Sequence, residues 1–419
     1  MKYNSPRGTR DLLPVESVIF RKTVDKILHI FKLFNYQEIT TPIFESSGLF
    51  ERAVGETTDI VEKEMYTFKD KGDRLLTLRP EGTASIVRAY LEHLSEFQKQ
   101  QVTKLTYVGP MFRYERPQTG RYRQFYQIGV EAIGSISPLV DVETMLMGIH
   151  ALASLGIGNA EIAINSVGCD VCRPVIREQL KEFVGSIVND LCPDCQNRYE
   201  NNPLRILDCK EPKCQTYFMG MPSMSKALCK ECNDHFITVL DQLDENNIPY
   251  VVDPNLVRGL DYYTKTVFEI RSSLLGAQNA ICGGGRYDNL ISELGGRKTP
   301  AFGFAIGLDR LIMVLEQLNI LPETDLDIDV FCIGIETEAQ NKVFQIMNTL
   351  RKNDIKCEYY FKRNSIGDGI KQGLLFKAKF AIILGEEELE NKTITLKDLT
   401  NKRQNSFTNI EEVINAIKG

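Results

Sequence analysis

Arg113 and Glu115 stand two residues apart, and Arg121, Arg123, Phe125, Gln127 and Glu131 follow, with Pro117 and Gly120 between the two runs. Side chains alternate between the faces of a strand. Tyr107, Gly109, Met111, Arg113 and Glu115 therefore predict one face of a first strand, and Arg123, Phe125, Gln127, Gly129 and Glu131 one face of a second. The proline and glycine mark the loop between them. Guanidinium forks suit phosphate oxygens, carboxylates accept from an ammonium or an N–H-bearing ring, and Phe125 offers a surface on which a base can stack. The hairpin reads as a holder for a ligand with both phosphates and a purine.

Three further polar clusters stand apart from the apolar pattern. Arg79-Pro80-Glu81-Gly82-Thr83 closes a strand, Arg258-Gly259-Leu260-Asp261-Tyr262-Tyr263 forms a second cluster, and Gly283-Gly-Gly-Arg286-Tyr287-Asp288 pairs with Gly303 to Arg310. Glycines permit close backbone approach to a ligand, and Arg310 at a helix start can meet an anion together with the helix N-terminus. Arg113, Arg121, Arg258 and Arg310 supply the cations for a triphosphate. There is no Gly-x-x-x-x-Gly-Lys-Ser/Thr loop, and the four histidines (His29, His93, His150, His235) lie outside the clusters. Phosphoryl or nucleotidyl transfer carried by charge placement fits this inventory; nucleophilic Ser–His or Cys–His chemistry does not.

Eight of the 11 cysteines crowd between Cys169 and Cys232. Cys169/Cys172, Cys192/Cys195 and Cys229/Cys232 are CxxC pairs, and Cys209/Cys214 is a wider one. In a reducing compartment such pairs favour metal thiolates over disulfides. Which pairs share an ion stays open, as does the alternative that they are free thiols. Cys282, Cys332 and Cys357 lie singly in apolar runs and are expected to be buried small hydrophobes.

The elements that must position these residues follow from periodicity. A chain of 419 residues, 43% hydrophobic and 25% charged, is an ordinary globular composition with room for two or three domains. The net charge of −6 leaves any nucleic-acid contact to local basic patches. No apolar run reaches the about 18 residues of a membrane span, and the polar N-terminus carries no signal core, so a cytoplasmic protein without membrane attachment is expected. A helix follows Pro14, a strand over 36–41 runs into Pro42, and a hairpin turns about Lys71-Gly72-Asp73. A helix starts near Thr83, and another spans 142–155 before a strand at 161–165. From 168 to about 247 strand-like runs disappear and helical segments appear. Strands resume at 250–252, 266–270 and 280–281, the last followed by a glycine-rich turn. Beyond a polar linker, strands and helices alternate from 329 in the rhythm of a small α/β domain.

Phe112-Arg113-Tyr114-Glu115 with Arg121-Tyr-Arg-Gln-Phe125, Gly303 to Arg310, and Pro42 in its strand resemble the three motifs of class II aminoacyl-tRNA synthetases. Leu256-Val-Arg-Gly-Leu-Asp-Tyr-Tyr263 and Gly284-Gly-Arg-Tyr-Asp288 resemble, within that class, histidyl-tRNA synthetase, and the likeness covers essentially the whole chain. It implies a multi-domain α/β fold. A class II antiparallel-sheet catalytic core would comprise 1–166 and 249–322, split by a helical Cys-rich insertion at 167–248, with a C-terminal α/β anticodon-binding domain at 328–419. It also implies a homodimer, with Pro42 at its interface.

Carried over, the resemblance gives Arg113 the α-phosphate of ATP and the substrate carboxylate, Glu115 the adenine amino group, and Phe125 the adenine face. Arg121 and Arg310 would grip the outer phosphates with Mg²⁺, and Arg258 would be the catalytic cation beside Arg113. Glu81, Thr83 and Gln127 would receive the histidine ammonium, and Glu131 and Tyr263, with Tyr262 beside them, the imidazole. The hairpin tip, with Arg116, Gln118 and Arg123, would be left for the tRNA. A site that hydrogen-bonds both imidazole nitrogens rejects near-isosteres without an editing domain. The eight cysteines would hold structural Zn²⁺. The competing class is a non-catalytic histidine-sensing paralogue, which would lack the domain from 328 on and the arginines at 113, 258 and 310.

Overall fold

The computed structural model describes every residue except 1, 2, 56, 57, 98, 159, 210, 219–223, 273, 275–279, 363 and 364. The chain divides into two compact units, Met1–Pro322 and Glu323–Gly419.

The first unit is built on an eight-stranded sheet. In chain order its strands are Gln37–Glu38 (β1), Thr103–Phe112 (β5), Gln124–Ile133 (β6), Glu161–Ser166 (β7), Tyr250–Val252 (β8), Thr264–Arg271 (β9), Ala280–Arg286 (β10) and Ala301–Gly307 (β11). The intervening strands Phe44–Ser46 (β2), Tyr66–Lys69 (β3) and Leu75–Leu78 (β4) make a separate three-stranded sheet in the order β2-β4-β3. The large sheet runs β1-β5-β6-β11-β10-β9-β7-β8. Its interior is antiparallel, but β1 joins β5 and β8 joins β7 in parallel, so the expected antiparallel sheet is mixed at its edges.

The pleat of this sheet separates core from site. On the back face Ile128, Val130, Phe302, Phe304, Ile306, Phe268 and Ile270 are buried together. The helices Pro14–Leu33 and Pro138–Ser154 add Val24, Ile27, Phe31, Met145 and Leu152 to the same core. Both helices start with proline in the first turn, where its missing N–H costs nothing. Glu16 accepts from the Leu13 N–H at 2.9 Å and the Ser137 hydroxyl from the Leu139 N–H at 3.3 Å, capping their N-termini.

Two local expectations are corrected. The strand predicted over 36–41 shrinks to Gln37–Glu38, because Pro42 and the approach of Arg79 to Thr41 end its pairing early. The glycine run expected as a turn is the middle of β10, with Gly283 opposite Glu269 and Ala305. Glycine serves close approach there, not turning. A Cβ on Gly284 would collide with the Gly303 carbonyl and Phe304, and one on Gly283 with the Arg258 guanidinium.

Among the described residues, 172–245 hold helices and no strands: Cys172–Gly185, Pro193–Asn201, Pro212–Phe218 and Lys230–Glu245, with a 3₁₀ turn at Pro203–Asp208. The second unit is a five-stranded sheet of Val330–Gly334 (β12), Cys357–Tyr359 (β13), Phe380–Leu384 (β14), Ile394–Asp398 (β15) and Gln404–Phe407 (β16), ordered β13-β12-β14-β15-β16. Helices Thr337–Lys352, Ile366–Leu375, Glu386–Glu390 and Ile410–Lys418 complete it. Cys332 and Cys357 are buried in its core and Cys282 in that of the first unit, as expected of small apolar residues.

Candidate active site

The front face of the large sheet is paved with small residues where β6, β10 and β11 meet. Register places Gly129 beside Ala305 and Gly283, and Glu131 beside Gly303; Tyr107 packs over Gly129, Glu131 over Gly303 and Arg258 over Gly283, while Gly283, Ala305 and Gly307 line the site. Above this floor lies a cleft of about 510 Å³. It is lined by Arg113, Glu115, Arg121 and Phe125 from the hairpin, Gln127 from β6, Arg258 from the loop before β9, and Arg310 from the helix Leu308–Gln317. The cations read from the sequence therefore converge on one volume, although they come from three distant parts of the chain.

The hairpin keeps its register only in part. Gly109 pairs with Gln127 and Met111 with Phe125, but the ladder stops at Phe112 and Gln124. Arg113, Glu115 and Arg121 thus sit on the loop beyond the strands. Arg113 donates from Nε to the Pro80 carbonyl at 2.9 Å and lies 5.4 Å from the centre of the Phe125 ring. Arg121 pairs with Glu115 at 3.0 Å. At the tip Gln118 and Arg121 form an isolated bridge, and Arg116 and Gln118 are exposed. Arg123 is turned back: its guanidinium lies over the Tyr114 ring at 3.8 Å and donates to the Glu115 carbonyl.

Arg258 forms an ion pair with Glu269 on β9. Burial works against its charge, but Glu269 outweighs this and raises its pKa, so the cation is secure. Arg310 donates to the Ala280 carbonyl at 3.0 Å, and burial with Arg121 nearby lowers its pKa. Four guanidinium groups thus gather on one cleft, two of them paired with Glu115 and Glu269, and such a concentration of positive charge favours an anionic ligand. Gln127 offers the complementary chemistry: its Oε1 is buried, has no hydrogen-bond partner among the described residues, and suits a donor on the ligand.

A second group lies behind the cleft and does not line it. Both Glu81 oxygens are held by backbone N–H groups at the start of the helix Thr83–Glu92, from Thr83 at 2.7 Å and Ala84 at 2.8 Å. Thr83 donates its hydroxyl to Glu131 at 2.7 Å, and the Tyr287 hydroxyl donates to the other oxygen of the same carboxylate. Burial raises the pKa of Glu131 to about 8, against the opposing hydrogen bonds. The Tyr262 and Tyr263 rings lie 4.7 Å apart between centres, tilted at 48°, and Tyr262 meets Tyr287 edge-on at 5.7 Å. These residues form a buried, hydrogen-bonded cluster of carboxyl, hydroxyl and phenol groups.

Two arginines of the sequence clusters face elsewhere. Arg79 is buried and donates to Thr41 and to the Pro110 carbonyl, tying the segment before β2 to β5. Arg286 is fully buried and pairs with Asp141 and Asp288, while His235 meets Asp141 at 2.8 Å. Both hold the core and leave the cleft to others. Sequence reasoning gave no role to Tyr287, Glu269 or Asp208. Glu269 had a signal, a carboxylate between Phe268 and Ile270 in an apolar strand. Asp208 had none; it reaches the cleft from the 3₁₀ turn inside the Cys-rich segment.

The eight cysteines form two groups, Cys169/Cys172/Cys229/Cys232 and Cys192/Cys195/Cys209/Cys214, each with its Sγ atoms within 4.8 Å of one another. None is in a disulfide. Four thiolates at the usual Zn–S length of about 2.3 Å stand about 3.8 Å apart at the corners of a tetrahedron. Cys169–Cys172 and Cys192–Cys209 are separated by 3.8 Å and Cys169–Cys229 by 3.9 Å. The donor sets fit a tetrahedral thiophilic ion.

A family model described as histidyl-tRNA synthetase matches residues 8–179 and 217–311, and one described as an anticodon binding domain matches 327–419. Among curated proteins, a histidine–tRNA ligase of Halothermothrix orenii is 47% identical over 405 residues, 96% of each chain. One of Clostridioides difficile is 44% identical over 417 residues, 99% of each. Among solved structures, the apo histidyl-tRNA synthetase of S. aureus superposes with a TM-score of 0.83 at 37% identity, covering 100% of both chains.

Proposed function

The chain belongs to the histidyl-tRNA synthetase family, and from that premise we propose how its residues divide the work. The enzyme is a histidine–tRNA ligase, which uses ATP to join histidine to its tRNA. The anticodon binding domain match, 327–419, falls within the compact unit Glu323–Gly419. The domain limits proposed in finer detail are a catalytic core at 1–166 and 249–322, the Cys-rich insertion at 167–248 and the anticodon-binding domain from 328.

Activation needs no protein base. The histidine carboxylate is already ionised; its oxygen attacks the α-phosphorus while the bond to the β-phosphate breaks and pyrophosphate leaves with the electron pair. What the site must supply is positive charge where it gathers on the α-phosphoryl oxygens. Arg113 and Arg258 take that role as catalytic residues, Arg121 and Arg310 hold the outer phosphates with Mg²⁺, and Phe125 and Glu115 receive adenine. Gln127, Glu81 and Thr83 take the histidine ammonium. Glu131, Tyr263 and Tyr262 enclose the imidazole, with Tyr287 orienting Glu131. Arg116 and Gln118, exposed at the hairpin tip, face the tRNA, with Arg123 bracing the loop behind them.

The observation that carries this reading is the convergence of Arg113, Arg121, Arg258 and Arg310 above the glycine floor. Histidine-dependent exchange of pyrophosphate into ATP tests it. Exchange that depends on histidine and falls by orders of magnitude in Arg258→Ala is expected, and near-normal turnover of that variant would remove Arg258 from the chemistry.

Each four-cysteine group holds one structural Zn²⁺, remote in chemistry from the nucleotide and serving to fix the fold of the insertion. The enzyme works as a homodimer. Ile43, Phe44, Phe68 and Leu75, on and beside the small sheet next to Pro42, are exposed apolar residues of the kind a partner covers. Among the described residues no helix is long and apolar enough to cross a membrane, and a cytoplasmic location fits a translation enzyme.

A further inference from the structure

The loop that carries Arg258 and Tyr263 has no ladder of its own. Residues 253–263 lie between β8 and β9 without strand or helix, so their carbonyls must find partners elsewhere. Asn165 of β7 serves those of Pro254 and Leu256 at 3.2 and 3.0 Å, and those of Gly259, Asp261 and Tyr263 find partners in the Cys-rich insertion. Arg205 donates from Nη1 to the Gly259 carbonyl at 2.9 Å. Arg173 donates to the Tyr263 carbonyl and, at 3.5 Å, to that of Asp261. Asn202 donates from Nδ2 to both Asp261 carboxylate oxygens at 3.1 Å.

These donors form two arms with separate roots. Arg173 directly follows Cys172, a member of the first thiolate group. Asn202 and Arg205 lie between Cys195 and Cys209 of the second, and Arg198 and Arg205 tie that segment to Asp59 at 2.9 and 3.3 Å. Arg205 is only 6% exposed, so its charge has been taken out of water for these partners alone. A cavity of about 80 Å³, lined by Arg173, Asn202, Arg205, Arg258, Asp261 and Tyr263, lies among the arms and the loop. Leu256, Val257, Tyr262 and Tyr263 anchor the loop in the core, and the directed hydrogen bonds fix the backbone between them.

We infer that the Cys-rich insertion is a two-armed clamp on the 258–263 loop, in which Arg173, Asn202 and Arg205 are positioning residues acting through Arg258 and Tyr263. The inference rests on the assignment of those two residues to histidine activation. Its consequence is that each thiolate group, taking no part in the chemistry, fixes the place of a group that acts on ATP.

The test compares Arg205→Ala, Asn202→Ala and Arg258→Ala, and the double variant Arg205→Ala/Arg258→Ala, in the full-length enzyme. Amide hydrogen exchange of the peptide covering 257–263 and zinc content are measured beside pyrophosphate exchange. Arg205→Ala is expected to keep its zinc, lose protection over 257–263, and lower kcat about tenfold or more with little change in the KM for ATP. In the Arg258→Ala background the same substitution should cost less than about twofold, because both act through one group. Should Arg205→Ala fold poorly, Asn202→Ala reads the second arm with a smaller charge change. Unchanged protection over 257–263, or a penalty that adds in full to that of Arg258→Ala, overturns the clamp. Normal turnover by Arg258→Ala instead overturns the catalytic assignment, and loss of loop protection in Arg205→Ala would still support the clamp itself.

Discussion

Thr83 and Glu131, on a helix start and a central strand, meet through a hydrogen bond of 2.7 Å, with Tyr287 on the carboxylate's other oxygen. Burial raises the Glu131 pKa from 4.5 to about 8. Between those values the folded chain holds a proton that the unfolded chain has released. Stability therefore declines as pH rises through that window and has lost this contribution above about 8. Melting curves from about pH 5 to about pH 9 should show that decline in the wild type and a flatter course in Glu131→Gln. Glu131→Gln should also lose histidine-dependent exchange, because an amide nitrogen replaces one of the two carboxyl oxygens that Thr83, Tyr287 and the ring share. Parallel pH profiles for the two proteins would reject the assignment.

Arg286 should behave as a core residue. Its side chain and that of Asp141 are wholly buried as an ion pair, with His235 on the same carboxylate. Removing one partner leaves a buried charge uncompensated, which costs about 3–5 kcal/mol. Denaturant unfolding of Arg286→Ala should show a loss of that order. A loss of activity with full stability would return Arg286 to the cleft.

Gly283 and Gly284 are adjacent, yet their alanine variants should fail differently. At Gly283 the new methyl group meets the Arg258 side chain, which can move; at Gly284 it meets the Gly303 carbonyl and Phe304, which cannot. Gly283→Ala is expected to melt near the wild type while losing most of its pyrophosphate exchange. Gly284→Ala should be destabilised by a few kcal/mol, in the range of an overpacked core. Equal stability of the two variants would contradict the placement of this strand.

Protein purified without added metal should carry two zinc ions per chain, one for each group of four cysteines. Cys172→Ser should lower the stoichiometry by one, and so should Cys195→Ser, because the groups share no ligand. Elemental analysis decides this directly, and a content near zero in folded wild type would rule the ions out. Removal by a chelator should make the insertion sensitive to proteolysis, since metal binding and folding are coupled in such sites.

Local chemistry was enough to announce much of this protein. The spacing of Arg113, Glu115, Arg121 and Phe125 marked residues that line one cleft, the pattern from 329 on marked a small α/β domain, and the CxxC pairs marked cysteines that gather in fours. Each is a short-range pattern, set by strand alternation, helix period and turn residues, and so readable along the chain. Other features depend on which distant segments are buried against one another. Arg79 and Arg286 look in sequence like Arg113 and Arg258, but burial beside Thr41 and Asp141 turns them into the core. The glycine run of β10 reads as a turn until its neighbours crowd it on both faces. Only the tertiary structure sorted eight cysteines into two groups of four and brought Arg173, Asn202 and Arg205 to the loop at 258–263. Those partnerships join residues far apart in sequence, where no local period carries a signal, and they form because buried thiols, carbonyls and charges must each find a partner once water is excluded.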